Sequence, residues 1–222
     1  MRSIRLRTLI LFAVTFSLGG CSRFCGGVGN RPPAPLPIVK DARSGQTFYV
    51  LDRGEYKAYY DSLGQLVRIE HDKNGDGRAD EIARYDGQKE PSVVEIDEDS
   101  DGWIDRWEYY DQKGKLLRVG RSHKTKGQPD EWTTRDEQGR TTRVEHDEDG
   151  DGRVDRIEIL EGGKVVALEI DSDRDGRIDR WQRFAAGRLI SEDLDTNGDG
   201  KPDRRLRFRP DGTVQGMERL TQ

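Results

Sequence analysis

Acidic side chains recur at alternate positions in five short segments of this sequence. Each segment has the form Asp-x-Asp/Asn-x-Asp-Gly-x-x-Asp, and the five begin at Asp72, Asp97, Asp147, Asp171 and Asp195. Oxygens at the first, third and fifth positions converge on one point in such a loop, and the glycine at the sixth allows the sharp turn. Oxygen donors alone favour Ca²⁺, since Zn²⁺ prefers His and Cys and Mg²⁺ tends to keep its waters.

The five segments therefore predict about five bound Ca²⁺ ions. Without a cation, three or four carboxylates close together would repel one another. The alternative is that the segments are Asp-Gly turns that bind no ion, but such turns do not need acids at three alternate positions. The predicted metal ligands are Asp72, Asn74, Asp76, Asp80, Asp97, Asp99, Asp101, Asp105, Asp147, Asp149, Asp151, Asp155, Asp171, Asp173, Asp175, Asp179, Asp195, Asn197, Asp199 and Asp203.

These segments resemble the calcium loops of EF-hands, dockerins and thrombospondin type-3 repeats. The resemblance covers nine residues in each loop. An EF-hand adds a bidentate glutamate at the twelfth position, and here only Glu108 and Glu158 stand at that place. The resemblance therefore implies that the loops starting at Asp97 and Asp147 bind calcium most tightly.

The loops are part of an internal repeat with a period of 24 or 25 residues. The step from Asp97 to Asp147 is two periods, so a sixth copy lies between them at 122–130. That copy carries Lys124 and Lys126 where its neighbours carry acids, which predicts that it binds no calcium. Its lysine ammonium either contacts carbonyls within the cage or is solvated. Below, the loops are numbered first (72–80), second (97–105), third (122–130), fourth (147–155), fifth (171–179) and sixth (195–203).

Between the loops the sequence alternates with a period of two, as in Val67, Ile69 and His71, and a glycine turn divides each interval. Pieces of about six residues are too short for stable helices, and alternation is typical of half-buried strands. The predicted fold is all-β: a repeat array of antiparallel β-hairpins, as an extended or curled meander or solenoid, joined by the Asp-rich loops. A closed β-barrel is the alternative. The segments 60–66 and 110–116 resemble hairpin repeats of bacterial toxin-shell proteins.

The charged residues beside the loops are also periodic. A glutamate stands two residues before several loops and an arginine one residue after them. Strand alternation suggests that each such pair shares a face. We therefore expect ion pairs between Glu95 and Arg106 and between Glu169 and Arg180. Exposed pairs of this kind contribute about 0–1 kcal/mol and serve register more than stability.

The N-terminus predicts export and lipidation. Residues 1–20 combine three arginines with a short apolar run, as a signal peptide does. Leu18-Gly19-Gly20-Cys21 resembles the bacterial lipobox, which implies that Cys21 is the lipid anchor, and Ser22 after it resembles outer-membrane lipoproteins. A plain signal peptide followed by an incidental cysteine is the alternative. Residues 21–46 then form the lipidated N-terminus and a Gly/Pro-rich tether, and residues 47–222 form the calcium-loop hairpin domain.

Composition narrows the function further. A net charge of −5 argues against nucleic acid as a partner, and 32% hydrophobic residues argue against a large core. His71 and His146 precede loops without a partner nucleophile and are interpreted as strand residues. We expect a calcium-binding, non-enzymatic envelope lipoprotein that acts as a structural or protein-interaction module. Its partners would be the membrane, through the anchor, and another envelope protein or surface polymer. The alternatives are an immunity-type or adhesin-like lipoprotein and an envelope enzyme with an unrecognised site.

Overall fold

A single antiparallel sheet of sixteen strands accounts for all helix and strand structure in residues 36–40 and 45–220, the part of the chain that the computed structural model describes. The strands lie side by side in chain order. They are β1 Ile38–Lys40, β2 Thr47–Asp52, β3 Tyr56–Tyr60, β4 Leu66–His71, β5 Glu81–Arg84, β6 Val93–Ile96, β7 Arg106–Tyr110, β8 Leu116–Arg121, β9 Glu131–Arg135, β10 Thr141–His146, β11 Arg156–Glu161, β12 Lys164–Ile170, β13 Arg180–Ala185, β14 Arg188–Leu194, β15 Arg204–Phe208 and β16 Val214–Arg219.

The prediction of an all-β hairpin array is confirmed. β1 pairs only with β2 and β16 only with β15, so the sheet is open and the alternative of a closed barrel is wrong. Strands β3 to β16 form the seven repeated hairpins, and β1 and β2 add one more before them. β1 lies N-terminal to residue 47, where the sequence places the start of the array.

The two strands of each hairpin are joined at one edge of the sheet by a turn that contains a glycine. The glycine adopts a positive φ, which other residues rarely do. Gly64 has φ of 77° and donates its N–H to the Asp61 carbonyl at 3.0 Å. The Asp61 carboxylate then accepts the N–H groups of Leu63 and Gln65 at 2.9 and 2.8 Å. This aspartate turn recurs at Asp111 and Asp136. The other turns on this edge differ in length, from two residues between β11 and β12 to the segment 85–92 between β5 and β6.

The two faces of the sheet differ in composition. One, here called the valine face, carries cross-strand neighbours such as Ile69, Ala83 and Val94. The other, here called the tryptophan face, carries Trp107 and the residues in register with it on both sides. Burial is shallow in the described residues, where no large side chain is less than 2% exposed. The low apolar content thus gives a single layer of strands without a deep core.

The expected ion pairs beside the loops are wrong. Antiparallel pairing places the residue just before a loop opposite the residue just after it, so Ile96 faces Arg106 and Glu95 faces Trp107. Glu95 and Arg106 therefore lie on opposite faces. Glu95 instead pairs with Arg84 at 2.7 Å, and Arg106 with Glu98 at 2.6 Å.

The same rule separates Glu169 from Arg180. Arg180 faces Ile170 across the fifth loop and pairs with Glu192 on β14. The predicted signal peptide, the Cys21 anchor and most of the predicted tether lie outside the described residues. Within those residues, no helix is long and apolar enough to cross a membrane.

Candidate metal centres

The six loops line the edge of the sheet opposite the glycine turns. Each connects an even-numbered strand to the next odd-numbered one, from β4–β5 to β14–β15. Because the strands between them pair in a constant register, equivalent loop positions recur along this edge. The sequence repeat therefore places the six loops in a row along this edge.

The first aspartate of a loop holds its turn in shape. In the fourth loop, Asp147 is buried, and its two carboxylate oxygens accept the N–H groups of Gly150 and Gly152 at 2.6 and 2.8 Å. The same pair of bonds occurs at Asp72, Asp171 and Asp195. At Asp195 burial opposes ionisation, but backbone N–H donors led by Gly200 lower the pKa of the carboxyl overall. The sixth loop therefore favours a charged Asp195.

The ninth aspartate ties the loop end back to its start. In the fourth loop, Asp155 accepts the N–H groups of Glu148 and Asp149. In the first loop, burial acts to raise the pKa of Asp80, but hydrogen bonds, the largest from Ser100, lower it overall. Comparable backbone bonds are present at the ninth position of all six loops: Asp80, Asp105, Asp130, Asp155, Asp179 and Asp203.

Three loops bring carboxylates together closely enough to hold a metal ion. Within each group, one oxygen per residue lies within 4.8 Å of the others. The groups are Asp97, Asp99 and Asp101 in the second loop; Asp147, Asp149 and Asp155 in the fourth; and Asp171, Asp173 and Asp179 in the fifth. A carboxylate that accepts one N–H still has lone pairs for a cation. These donors fit a hard ion such as Ca²⁺.

The other predicted ligands lie outside these three groups, eight of them in the first and sixth loops and three in the second, fourth and fifth. They are Asp72, Asn74, Asp76, Asp80, Asp105, Asp151, Asp175, Asp195, Asn197, Asp199 and Asp203. In the first and sixth loops an asparagine replaces the third acid, and its amide donates to the fifth-position carboxylate. These two loops thus offer fewer charged donors than the others.

The twelfth-position glutamates do not join the loop acids. Glu108 is buried on β7, where it pairs with Arg106 and accepts the Tyr110 hydroxyl. Glu158 on β11 pairs with Arg156. Both positions lie in strands that run away from the loop, whereas an EF-hand continues into a helix that turns this residue back. The geometry gives no reason to expect the second and fourth loops to bind most tightly.

The third loop keeps the ninth aspartate but replaces the other acids. Asp130 is buried and accepts the N–H groups of His123 and Lys124. At the first position, the Ser122 hydroxyl donates to the Thr125 carbonyl at 2.7 Å. The loop thus keeps the bonds to its ninth residue without the acidic donors, but its backbone differs at the fourth position, where Thr125 lacks the positive φ of Ser100 and Gly150 and accepts the Gln128 N–H at 3.1 Å.

The lysines of the third loop reach into the loops on either side. Lys124 donates to the carbonyls of Asp147 and Glu148 in the fourth loop, at 3.1 and 2.6 Å. Lys126 pairs with Asp101 of the second loop. The sequence predicted contacts with carbonyls, but within the third loop's own cage. The sequence did contain a signal for these contacts between loops, because Lys124 and Lys126 stand in a repeat whose adjacent copies are acidic.

Sequence reasoning also missed the seventh loop position. Its side chain covers the sixth-position glycine of the next loop, where an added Cβ would lie 2.5 Å from Arg78 at Gly102 and 2.7 Å from Trp103 at Gly127. Arg153 likewise covers Gly176 and donates to the Asp175 carbonyl at 3.1 Å. These glycines therefore provide space for the neighbouring loop as well as a positive φ.

Comparison with known proteins adds little to this geometry. No protein-family model matches the chain, and a search of curated proteins found no match. Among solved structures, the chain is similar to a GtfA/B complex bound to UDP and GlcNAc (14% identity, TM-score 0.30, 59% of this chain and 23% of that chain). It is also similar to a mutant of S. aureus TarM in complex with Fondaparinux, alpha-GlcNAc-glycerol and UDP (12% identity, TM-score 0.25, 53% of this chain and 20% of that chain). A third is TcdB2-TccC3-Cdc42 (14%, 0.21, 80% and 12%). The chain spans less than a quarter of each, and TM-scores this low support neither a shared fold nor a shared function.

Proposed function

We propose that this protein is a calcium-binding, non-enzymatic lipoprotein of the bacterial envelope that serves as a structural or protein-interaction module. The observation that carries the proposal is the convergence of carboxylates in three loops on one edge of the sheet. Repeated hard-oxygen groups on a row of equivalent loops suit several Ca²⁺ ions bound in parallel.

A structural role for the ions follows from the thin fold. A single layer of strands buries little apolar surface, and an isolated hairpin is marginal in water. Each loop joins two hairpins, so an ion that fixes the loop also fixes the spacing of those hairpins. An ion that binds the folded loop alone stabilises the folded state by mass action.

The non-enzymatic part of the proposal is supported by how the loop acids are used. The first and ninth aspartates are engaged by backbone N–H groups. His71 stacks on Tyr56 at 4.0 Å between ring centroids, and burial lowers its pKa. His146 lies near Glu131 and Glu158. These contacts are typical of structural positions in a sheet.

The metal proposal is tested by counting ions on the lipidated chain in detergent. Native mass spectrometry across a calcium titration should show five Ca²⁺ at saturation, one for each loop with the acidic pattern. A saturated count of three would restrict the sites to the three carboxylate groups and contradict the predicted count. A count of zero, with the sheet intact by circular dichroism, would overturn the metal proposal.

The anchor is tested separately. Cys21→Ser should leave an unprocessed precursor without incorporated lipid, whereas Cys25→Ser, the matched control, should be processed and lipidated normally. Fractionation should place the wild-type protein in the outer membrane. A Cys21→Ser chain that is still lipidated would contradict the proposed anchor.

A further inference from the structure

Arginines on the tryptophan face lie between an aromatic ring and a carboxylate. The guanidinium carbon of Arg68 is 4.0 Å from the centre of the Tyr59 ring, and its Nε is 3.1 Å from Glu70. The guanidinium carbon of Arg118 is 4.2 Å from the centre of the Trp132 ring, and its Nη2 is 2.6 Å from Glu145. The two arginines stand at the same position of the repeat, four residues before a loop, but find their partners on different strands. Arg68 stacks on a ring of the preceding strand and pairs with an acid of its own strand, whereas Arg118 stacks on a ring of the next strand and pairs with an acid beyond it.

Trp181 lies two repeats after Trp132 and stands at the equivalent position of its own repeat. Trp132 faces Gly120, two residues after Arg118, and Trp181 faces Glu169, two residues after Ala167. Ala167 therefore occupies the position of Arg118. The alanine side chain is too short to reach the ring. A cavity of about 400 Å³ opens there, and its lining includes Ile159, Ala167 and Trp181.

Two acids flank Trp181 on the neighbouring strands. Asp193 is buried and binds Arg205 through two bonds of 2.5 and 2.7 Å. Glu169 lines the cavity, and within the described part of the chain no hydrogen bond or ion pair to its carboxylate is present. The glutamates at the matching place in other repeats, Glu70, Glu95, Glu145 and Glu218, each pair with an arginine.

We propose that this cavity binds an arginine side chain of a partner polypeptide. The incoming guanidinium would stack on Trp181 and pair with Glu169, while its aliphatic stem packs on Ala167 and Ile159. Arg68 and Arg118 show the occupant that the sheet accepts at this place, and a guanidinium suits it because it stacks on a ring while it binds a carboxylate. This proposal rests on the interaction role above and not on the metal sites.

Arg183 is the intramolecular competitor. It faces Ala167 across the strand pair and lines the same cavity. Its side chain is exposed, and among the described residues no ion pair joins it to Glu169. Its charge opposes the entry of a second cation, so Arg183→Ala should strengthen binding of an arginine probe about two- to fivefold, as expected for an exposed charge.

The test uses the lipidated chain in detergent with saturating calcium and observes the four tryptophan indole N–H signals by NMR. The probes are N-acetyl-arginine methylamide and its neutral counterpart, N-acetyl-citrulline methylamide. The arginine probe should shift the Trp181 signal, assigned with Trp181→Phe, and should leave Trp132 unmoved because Arg118 fills that place. The citrulline probe should shift neither.

Three variants make the test specific. Glu169→Gln should weaken the arginine probe about tenfold or more, the loss expected for a charge-assisted hydrogen bond. Ala167→Arg should abolish binding by filling the position from within, with circular dichroism to confirm the fold. Arg183→Ala should strengthen binding. Equal shifts with both probes, or equal shifts at Trp132, or no loss in Glu169→Gln, would overturn the proposal.

The same samples separate this proposal from the metal sites. If calcium binds and the arginine probe leaves Trp181 unmoved, the arginine site is refuted and the metal proposal stands. If the probe binds selectively while native mass spectrometry finds no calcium, the metal proposal fails and the arginine site stands.

Discussion

The third and fourth loops are adjacent copies of one unit that differ in charge and, at the fourth position, in backbone, where Gly150 has a positive φ and Thr125 does not. Both close with a buried aspartate, Asp130 or Asp155, that accepts N–H groups from the loop start. Only the fourth places further carboxylates beside it. The ninth aspartate is therefore explained by folding alone. The first aspartate also shapes the turn of the fourth loop, but the turn does not require several carboxylates within reach of one cation, and the metal proposal rests on that grouping.

Calcium removal should produce the largest difference between the two loops. At a calcium concentration one hundred times the dissociation constant, each site would stabilise the folded state by about 2.7 kcal/mol. Chelation should therefore lower the melting temperature by on the order of 10 °C or more. Hydrogen exchange should quicken at the fourth loop more than at the third. Identical melting temperatures in calcium and in chelator would show that calcium binding by these acids does not stabilise the fold.

Replacing the first residue of each loop should give the next largest contrast. Asp147→Ala leaves the N–H groups of Gly150 and Gly152 without their partner, which should cost about 1–3 kcal/mol, and it should remove one Ca²⁺. Ser122→Ala, the matched change in the third loop, should cost less than about 1 kcal/mol and remove none. Denaturation and native mass spectrometry would measure both effects. An unchanged ion count in Asp147→Ala would contradict the assignment of the fourth loop.

The ninth position should behave alike in both loops for stability and differently for metal. Asp130→Ala and Asp155→Ala should each destabilise the fold by about 1–3 kcal/mol because each removes two partly buried hydrogen bonds to the start of its loop. Only Asp155→Ala should also weaken calcium binding. If Asp130→Ala lowered the ion count, the third loop would be a metal site and the contrast between the loops would fail.

Much of this architecture was predictable because it depends on local patterns. Alternation, glycine turns and a constant period specify hairpins, and each hairpin contacts its chain neighbours, so no long-range pairing had to be guessed. The ion pair between Glu95 and Arg106 was mispredicted because the face of a residue after a loop depends on which residues the loop places opposite each other. That register is not visible in alternation alone.

The contacts between loops were the other part that the sequence did not reveal. Lys126 is 25 residues from Asp101, and Arg153 is 22 from Asp175. Such contacts require the loops to stack along one edge at a spacing that a side chain can cross. The lack of an ion pair at Glu169 among the described residues was equally hidden, since Arg68 and Arg143, which stand at the position of Ala167, each pair with the glutamate two residues further on.

The smallest expected effect concerns Lys126 of the third loop, which pairs with Asp101 of the second. The hydrogen bond from Lys126 is the main reason that the pKa of Asp101 is lowered and that of Lys126 is raised. A pair with these shifts is intact above the ordinary pKa of Asp101 and is lost as the pH falls through the lowered value. In the alkaline range it is lost as the pH rises through the raised pKa of Lys126. Between these limits the Lys126 ammonium would compete with a bound cation for the Asp101 carboxylate.

Lys126→Ala should therefore raise the calcium affinity of the second loop by about two- to fivefold, the range expected for an exposed ion pair. It should also return the pKa of Asp101 toward its ordinary value, as an NMR titration in chelator would show. Lys113→Ala, which removes a lysine from the opposite edge of the sheet, is the control and should change neither quantity. High salt should shrink the effect because exposed charges are screened. An unchanged calcium affinity of the second loop in Lys126→Ala would contradict this prediction. It would mean that displacing Lys126 costs calcium no measurable binding free energy, and that the third loop does not influence metal binding by the second.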